Sequence, residues 1–429
     1  MRDPGPYPPF THLNRPAVMT NPHPRSLALL ALLVFTGCAS QFPATNHTAR
    51  VDSWIGSWVS AQQLTEPNNM PPVVFLHDAT LRQIVQPAIS GHKIRITLSN
   101  LFGHAPLSID VACVARSTDG DIIEPGSSQY LTFNGNRAVV IPAGTSLLSD
   151  PLDFEVTALT NLAISVHVQS APAEVTGHPG SRTTSFFCSG NSVAATALPE
   201  ATKVDHWYFL SHVDTQANQP ASAIVVLGDS ITDGRGSTTN QNDRWPNQLS
   251  RRLLANPASR LITVLNQGIG GNRLLGDGLG PSALARFDRD VLAQPGVRWL
   301  IVLEGVNDLG TAKREENKPS TIAQDIIGAY EQIILRAHAH HILVLGATIL
   351  PGGGSFYSNP GFEADRQTVN QWIRTSGMFD GVIDFDLATR DPNDLTHLTS
   401  AVDGGDHLHP SANGYKIMAD AIDLKLFSN

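Results

Sequence analysis

Between residues 51 and 215 apolar and polar positions alternate. Segments 81–86, 93–98, 108–114 and 161–168 carry an apolar side chain at nearly every second position, the period of half-buried strands. Turn residues such as Ser90-Gly91 and Pro142-Ala143-Gly144 separate them. Short strands without long helical stretches predict an all-β region of the sandwich or jelly-roll kind. The rhythm changes near Gln219-Pro220. Apolar runs at 223–227, 261–265, 299–303 and 342–350 read as fully buried strands, and 245–254, 282–293, 320–337, 365–375 and 411–426 read as helices. Strands alternating with helices predict an α/β fold, a parallel sheet covered on both faces.

The N-terminus has a different character. Arg25 precedes an apolar stretch at 27–35, followed by Thr36-Gly37-Cys38. A charged start and a short apolar segment are the layout of a secretory signal, and the run is too short to span a bilayer comfortably. Small residues before a cysteine resemble a bacterial lipobox, which implies lipidation at Cys38. Phe35 departs from that pattern, where Leu is usual. Ordinary secretion and a buried helix are the competing readings. The eighteen residues before Met19 are Pro-rich and precede the charged region awkwardly, so Met19 is a candidate start. The expected organisation is a signal segment at 1–38, a polar tether at 39–50, a β domain at 51–215 and a second domain at 220–429. The chain is expected to be exported, to the periplasm or cell surface, touching the membrane only through its lipid anchor.

A length of 429 residues suits two domains. The formal charge of −9, without a Lys/Arg-rich run, argues against a nucleic-acid partner. Cys113 and Cys188 are the only cysteines after Cys38. In an exported chain such a pair invites a disulfide; two unpaired buried thiols are the other reading.

Candidate chemistry lies in the second half. The first buried run ends in Gly228-Asp229-Ser230, so Ser230 falls where open α/β sheets place their ligands. Read alone, it is equally a helix N-cap. Ester hydrolysis needs a nucleophile, a base, a group orienting the base, and donors for the oxyanion. His409, in the Gly-rich stretch 403–415, is the candidate base, with His407 as a rival. Asp406, three residues before His409, is within one turn of its imidazole. Gly271, with Gly270 as the neighbouring choice, lets backbone N–H groups approach a ligand. Asn307 in Gly305-Val306-Asn307-Asp308 offers a side-chain amide, and the Ser230 N–H is the third donor. No set of metal ligands at familiar spacing accompanies the histidines.

Taken together, these blocks resemble the SGNH/GDSL hydrolase family. The matches are Gly228-Asp229-Ser230, Gly271 within Asn266-x-x-Ile269-Gly270-Gly271, Gly305-x-Asn307-Asp308, and Asp406-x-x-His409. Ile231 stands where the family name has Leu. The resemblance spans about residues 222–426. It implies a flavodoxin-like α/β/α sheet, a Ser230–His409–Asp406 triad, an oxyanion hole from Ser230, Gly271 and Asn307, and acyl hydrolysis without metal or cofactor. The preceding β region resembles that of exported bacterial esterases of the acetylxylan-esterase-like kind.

Other residues invite roles. His338, His340 and His341 suggest a metal, but their place at a helix end suits the helix dipole. Gly352-Gly353-Gly354 with Ser355, Phe356 and Tyr357 reads as a cleft wall or a flexible loop. Arg273 reads as a substrate contact or a surface salt bridge. Trp54, Trp58, Trp207 and Tyr208 read as a sugar platform or, better, as core and interface residues. Glu304 reads as buried near the sheet end. The leading expectation is an exported serine esterase for short acyl groups on a small molecule or polysaccharide. A lipase, a thioesterase, an acyl transferase and a carbohydrate-binding lipoprotein with an inert hydrolase domain are the alternatives.

Overall fold

The computed structural model describes residues 54–314 and 320–428. The signal segment, Met19, Cys38 and the tether lie outside the described residues. The first half folds as antiparallel sheets. One has the order Trp54–Val59, Leu210–Ala217, Gly91–Asn100, Leu152–Val156; the other includes Ser185–Ser189, His77–Val85, Leu162–Ser170 and Leu107–Asp119 in that order. Their alternating apolar faces meet in a common core containing Leu81, Ile94, Ile96, Val114, Ile164 and Val213.

This arrangement rules out the expected Cys113–Cys188 disulfide: both thiols are buried and free. Cys113 pairs with Ser165, whereas Cys188 pairs with Thr80 on the far side of two intervening strands. Three strand spacings put them about 14 Å apart, far beyond the reach of an S–S bond.

The second half is a five-stranded parallel sheet: β1 (Ser222–Gly228), β2 (Ile262–Gly268), β3 (Val297–Leu303), β4 (Leu343–Ala347) and β5 (Gly381–Ile383), in the order β2-β1-β3-β4-β5. This is the flavodoxin-like order. Residues 223–227 of β1 are completely buried, as a central parallel strand requires. The helices are α1 (Ser230–Asp233), α2 (Trp245–Ala255), α3 (Ala283–Phe287), α4 (Val306–Thr311), α5 (Ile322–Ala339), α6 (Pro360–Thr375), α7 (Phe385–Thr389) and α8 (Ala412–Asp420). Among them, α2 packs with α8 and α5 with α6.

Boundaries differ from the sequence pattern where caps intervene. The helix expected from 365 starts at Pro360, because the Asn359 side chain accepts from Phe362 N–H and proline is favourable in the first turn. The expected helix 411–426 stops at Asp420, and Asp423 caps a separate 3-10 turn, Leu424–Phe427. The expected 282–293 helix widens into a π-turn at Asp288–Leu292. The apolar run 342–350 leaves the sheet after Ala347, where Asn370 Oδ1 takes the Ile349 N–H at 2.7 Å.

The two halves belong to one compact unit, Val51–Asn429. Ile55, Val59 and Ala217 of the β region join the core of the parallel sheet. Gly56 permits that contact: its O accepts from Thr263 Oγ1 at 2.8 Å, and a Cβ there would lie 2.8 Å from Leu265 Cδ1.

Candidate active site

The site forms where the strand order reverses. Gly228 is level with Gly268 of β2 and Leu303 of β3, so the segments leaving all three strands emerge side by side. Asp229 caps α1 through Oδ1, which accepts from Ile231 N–H at 2.9 Å. The next residue, Ser230, opens the helix. Its Oγ lies 2.8 Å from His409 Nε2, and His409 Nδ1 lies 2.7 Å from Asp406 Oδ2. Asp406 Oδ1 also accepts from the backbone N–H of Leu408 (3.1 Å) and His409 (2.8 Å). One turn of chain thus folds around the carboxylate and aims the imidazole. The rival His407 points elsewhere, its Nδ1 2.6 Å from Asp403 Oδ2.

The electrostatics suit a neutral base beside an ionised carboxylate. Burial lowers His409 below the ordinary imidazole value; Asp406 opposes this, and the charges of Arg235 and Arg182 reinforce it. Burial alone would raise Asp406. The His409 backbone and ring hydrogen bonds, its charge and the Leu408 N–H hold it below the usual carboxylate value.

The candidate donors lie on the segments that follow β2 and β3. Gly271 turns the loop after β2 with φ 68°, a conformation that favours glycine. Gly270 is not in that conformation. Two backbone N–H groups of that loop, Leu274 and Leu275, bond to Asp308 at 2.8 and 3.0 Å. Asn307 is held at both ends of its amide. Nδ2 donates to Asn272 O at 2.7 Å, and Oδ1 accepts from Tyr357 OH at 3.0 Å. The second Nδ2 hydrogen remains for a ligand. The Ser230 and Gly271 N–H groups take part in no hydrogen bond among the described residues. The arrangement can deprotonate a serine and hold a developing oxyanion.

Residues 226–417 match the GDSL-like lipase/acylhydrolase family. This segment is a GDSL-like lipase/acylhydrolase domain. The GDSL domain belongs to the carboxylic ester hydrolases. No curated protein matches the chain. Among solved structures it is similar to a lipolytic protein of the G-D-S-L family from Desulfitobacterium hafniense, at 22% identity over 47% of this chain and 97% of that one, TM-score 0.36. An acetylxylan esterase from Geobacillus stearothermophilus is 21% identical over 48% of this chain and 94% of that one, TM-score 0.35. An acylhydrolase from Bacteroides fragilis is 19% identical over 48% and 90%, TM-score 0.35.

Beneath the GDSL site lies a buried network that no sequence motif marked. Arg286 donates to Gly228 O (3.1 Å), Gln267 O (2.6 Å), Asn272 Oδ1 (2.8 Å) and Asp290 Oδ2 (3.0 Å). It therefore ties together the ends of β1 and β2 and the loop of Gly271. Glu304, buried as the sequence suggested, has Oε1 3.5 Å from Arg286 Nη2. Burial, then the nearby Asp229 charge, raise its carboxyl well above the ordinary value. Burial likewise pushes Asp229 up to about 7.

A second buried pair crosses between the halves. His178, at the end of the short strand Thr176–His178, has Nδ1 2.8 Å from Ala61 O and Nε2 2.9 Å from Asp233 Oδ1. A carbonyl only accepts, so Nδ1 carries a proton. Both side chains are almost wholly buried. Asp233 is the last residue of α1, so the β region holds the helix that Ser230 begins.

The remaining candidates find local roles. His338 Nε2 lies 2.8 Å from Asp380, and no cluster of three metal-ligating side chains occurs among the described residues. Arg273 hydrogen-bonds the Asp277 carbonyl, in place of the expected salt bridge. Trp58, Trp207 and Tyr208 are buried, and Trp54 lies under the Arg95 guanidinium. The 352–357 loop does reach the site, through Tyr357.

Proposed function

We propose that this protein is a serine esterase that removes short acyl groups, acetyl foremost, from a hydroxylated substrate such as a polysaccharide. The observation that carries the reading is the Ser230–His409–Asp406 relay, with contacts of 2.8 and 2.7 Å, beside the level strand ends from which the Gly271 and Asn307 segments leave. Ser230 Oγ attacks the ester carbonyl as His409 Nε2 takes its proton. The N–H groups of Ser230 and Gly271 and Asn307 Nδ2 bind the oxyanion. Collapse expels the alcohol, which takes the proton from His409, and leaves an acyl-serine. Water, deprotonated by the same imidazole, releases the acid. Asp406 stays ionised and stabilises the imidazolium.

A short acyl group is supported by the walls beside the donors. The Tyr357 ring packs so close to Gly310 that a Cβ there would lie 2.3 Å from Cγ, and Leu279 packs on Gly271. The polysaccharide preference rests on the resemblance of the motifs and their N-terminal β region to exported esterases. The test is release of p-nitrophenol from acetate and butyrate esters, with Ser230→Ala as control. Activity that survives in the Ser230→Ala protein defeats the reading, as does none in the wild type. Export with lipidation at Cys38 belongs to the same proposal. It is checked by labelling with a fatty-acid analogue, which Cys38→Ala must abolish.

A further inference from the structure

Arg182 sits in the loop after Thr176–His178, within the β region, and its backbone is left-handed with φ 50°. For a long side chain that conformation persists only where the surroundings impose it. They do so here. The Arg182 carbonyl accepts from Asn240 N–H at 2.9 Å, Asn240 Oδ1 accepts from Thr184 N–H at 2.8 Å, and Ser181 Oγ bonds both ways to Thr183. Asn240 belongs to the loop leaving α1, which also packs on the segment carrying His409. A Cβ on Gly236 would lie 2.6 Å from Pro410 O, and Arg235 O accepts from Tyr415 OH at 2.6 Å.

The Arg182 side chain is the unexplained part. It is half-buried, its Nε is shut off from solvent without a partner, and its guanidinium makes no hydrogen bond or ion pair among the described residues. Its charge acts on Tyr415, Arg244 and His409. The neighbouring cations are engaged. Arg244 donates to Asn247 Oδ1 at 3.0 Å and to Asp233 O at 3.4 Å, and Arg235 Nε lies 3.8 Å from Asp406. A partly desolvated guanidinium without an anion is unfavourable unless a ligand supplies one.

The chemistry gives the direction of that ligand. His409 passes its proton to the departing alcohol, and the loop that clamps Arg182 through Asn240 packs on the segment carrying His409, so the Arg182 loop lies on the side of the alcohol portion of the ester. Gly271 and Asn307 face the acyl oxygen. We propose that Arg182 binds a carboxylate on the alcohol portion, so that the protein prefers O-acetylated uronic acids to neutral acetylated sugars. The planar guanidinium fits a carboxylate through two parallel hydrogen bonds. This proposal rests on the esterase reading and makes the β region the source of specificity.

The experiment compares kcat/KM for mono-O-acetylated methyl glucuronoside and methyl glucoside, in the wild type, Arg182→Lys and Arg182→Ala. The readout is the ratio between the two substrates within each protein, which cancels any general loss of activity. The wild type should favour the uronoside by about tenfold or more. Arg182→Ala should bring the ratio near one, with Arg182→Lys between. A wild-type ratio near one, or one that Arg182→Ala leaves in place, overturns the proposal. A wild type that hydrolyses neither sugar nor p-nitrophenyl acetate overturns the esterase reading instead. Calorimetric binding of methyl glucuronoside against methyl glucoside then still decides the role of Arg182, since only the first should bind, and only with Arg182 present.

Discussion

Asp406→Asn tests the relay at its least obvious member. Asp406 receives two backbone N–H bonds on Oδ1 and the His409 ring N–H on Oδ2. An asparagine that keeps its oxygen toward the two backbone donors must turn its NH2 toward His409 Nδ1. Two donors cannot face each other, so Nδ1 presents its lone pair and the ring proton moves to Nε2. That nitrogen is 2.8 Å from Ser230 Oγ and can no longer accept the serine proton. In a serine protease the same change costs about 10⁴ in kcat. Here the Asp406 side chain is 37% exposed, so water partly screens its charge, and the expected loss is about 10³, or about 4 kcal/mol of transition-state stabilisation. Asp406→Ala, which lets water occupy the place and leaves the tautomer free, should lose less than Asp406→Asn. The assay is kcat/KM on p-nitrophenyl butyrate, with circular dichroism to verify the fold. A folded Asp406→Asn protein within tenfold of the wild type would refute the reasoning.

Five further outcomes are expected. The acid limb of the kcat/KM profile should fall below pH about 6.5, because burial lowers His409 from the ordinary imidazole value and the base works only when neutral. Arg235→Gln removes a cation that disfavours the imidazolium, so the limb should move to higher pH; no movement, or a downward one, counts against the placement of that charge. His178→Ala leaves Asp233 buried and unpaired, and the urea midpoint should report a loss of about 3–5 kcal/mol, whereas a loss under 1 kcal/mol would mean the pair is idle. Cys113 and Cys188 should both alkylate, only after unfolding and without prior reduction, as mass spectrometry of the labelled peptides will read. Asn307→Ala, which loses a donor and the Tyr357 contact, should lower kcat by about 10²–10³ with KM little changed, and an equal change in KM would point to a binding role.

The sequence exposes what is local or periodic. Continuous apolar runs mark β1, β2 and β3, and the residues just past their ends are those that converge. Asp406 and His409 are legible because their contact closes within one turn. The three-residue strand β5 is not, since Gly381–Ile383 carries no period of its own. The start of α6 depends on the Asn359 cap, which apolar spacing does not register. Arg286 and His178 escape for a different reason. Each acts on residues distant in sequence, Gly228 and Asp233 respectively, and only the fold supplies their partners. The pairing of Cys113 with Cys188 fails likewise, because strand order, not residue count, sets their separation.

The His178–Asp233 contact has a bearing on how such a chain comes to life. Ribosomal synthesis delivers His178 first, then Asp233, and Asp406 and His409 only after both. On the proposed mechanism, a polypeptide interrupted before His409 carries Ser230 without its base. One whose β region misfolds leaves Asp233 without its imidazole, and the first turn after the strand loses its brace. The proposed relay is thus complete only once both halves have been made.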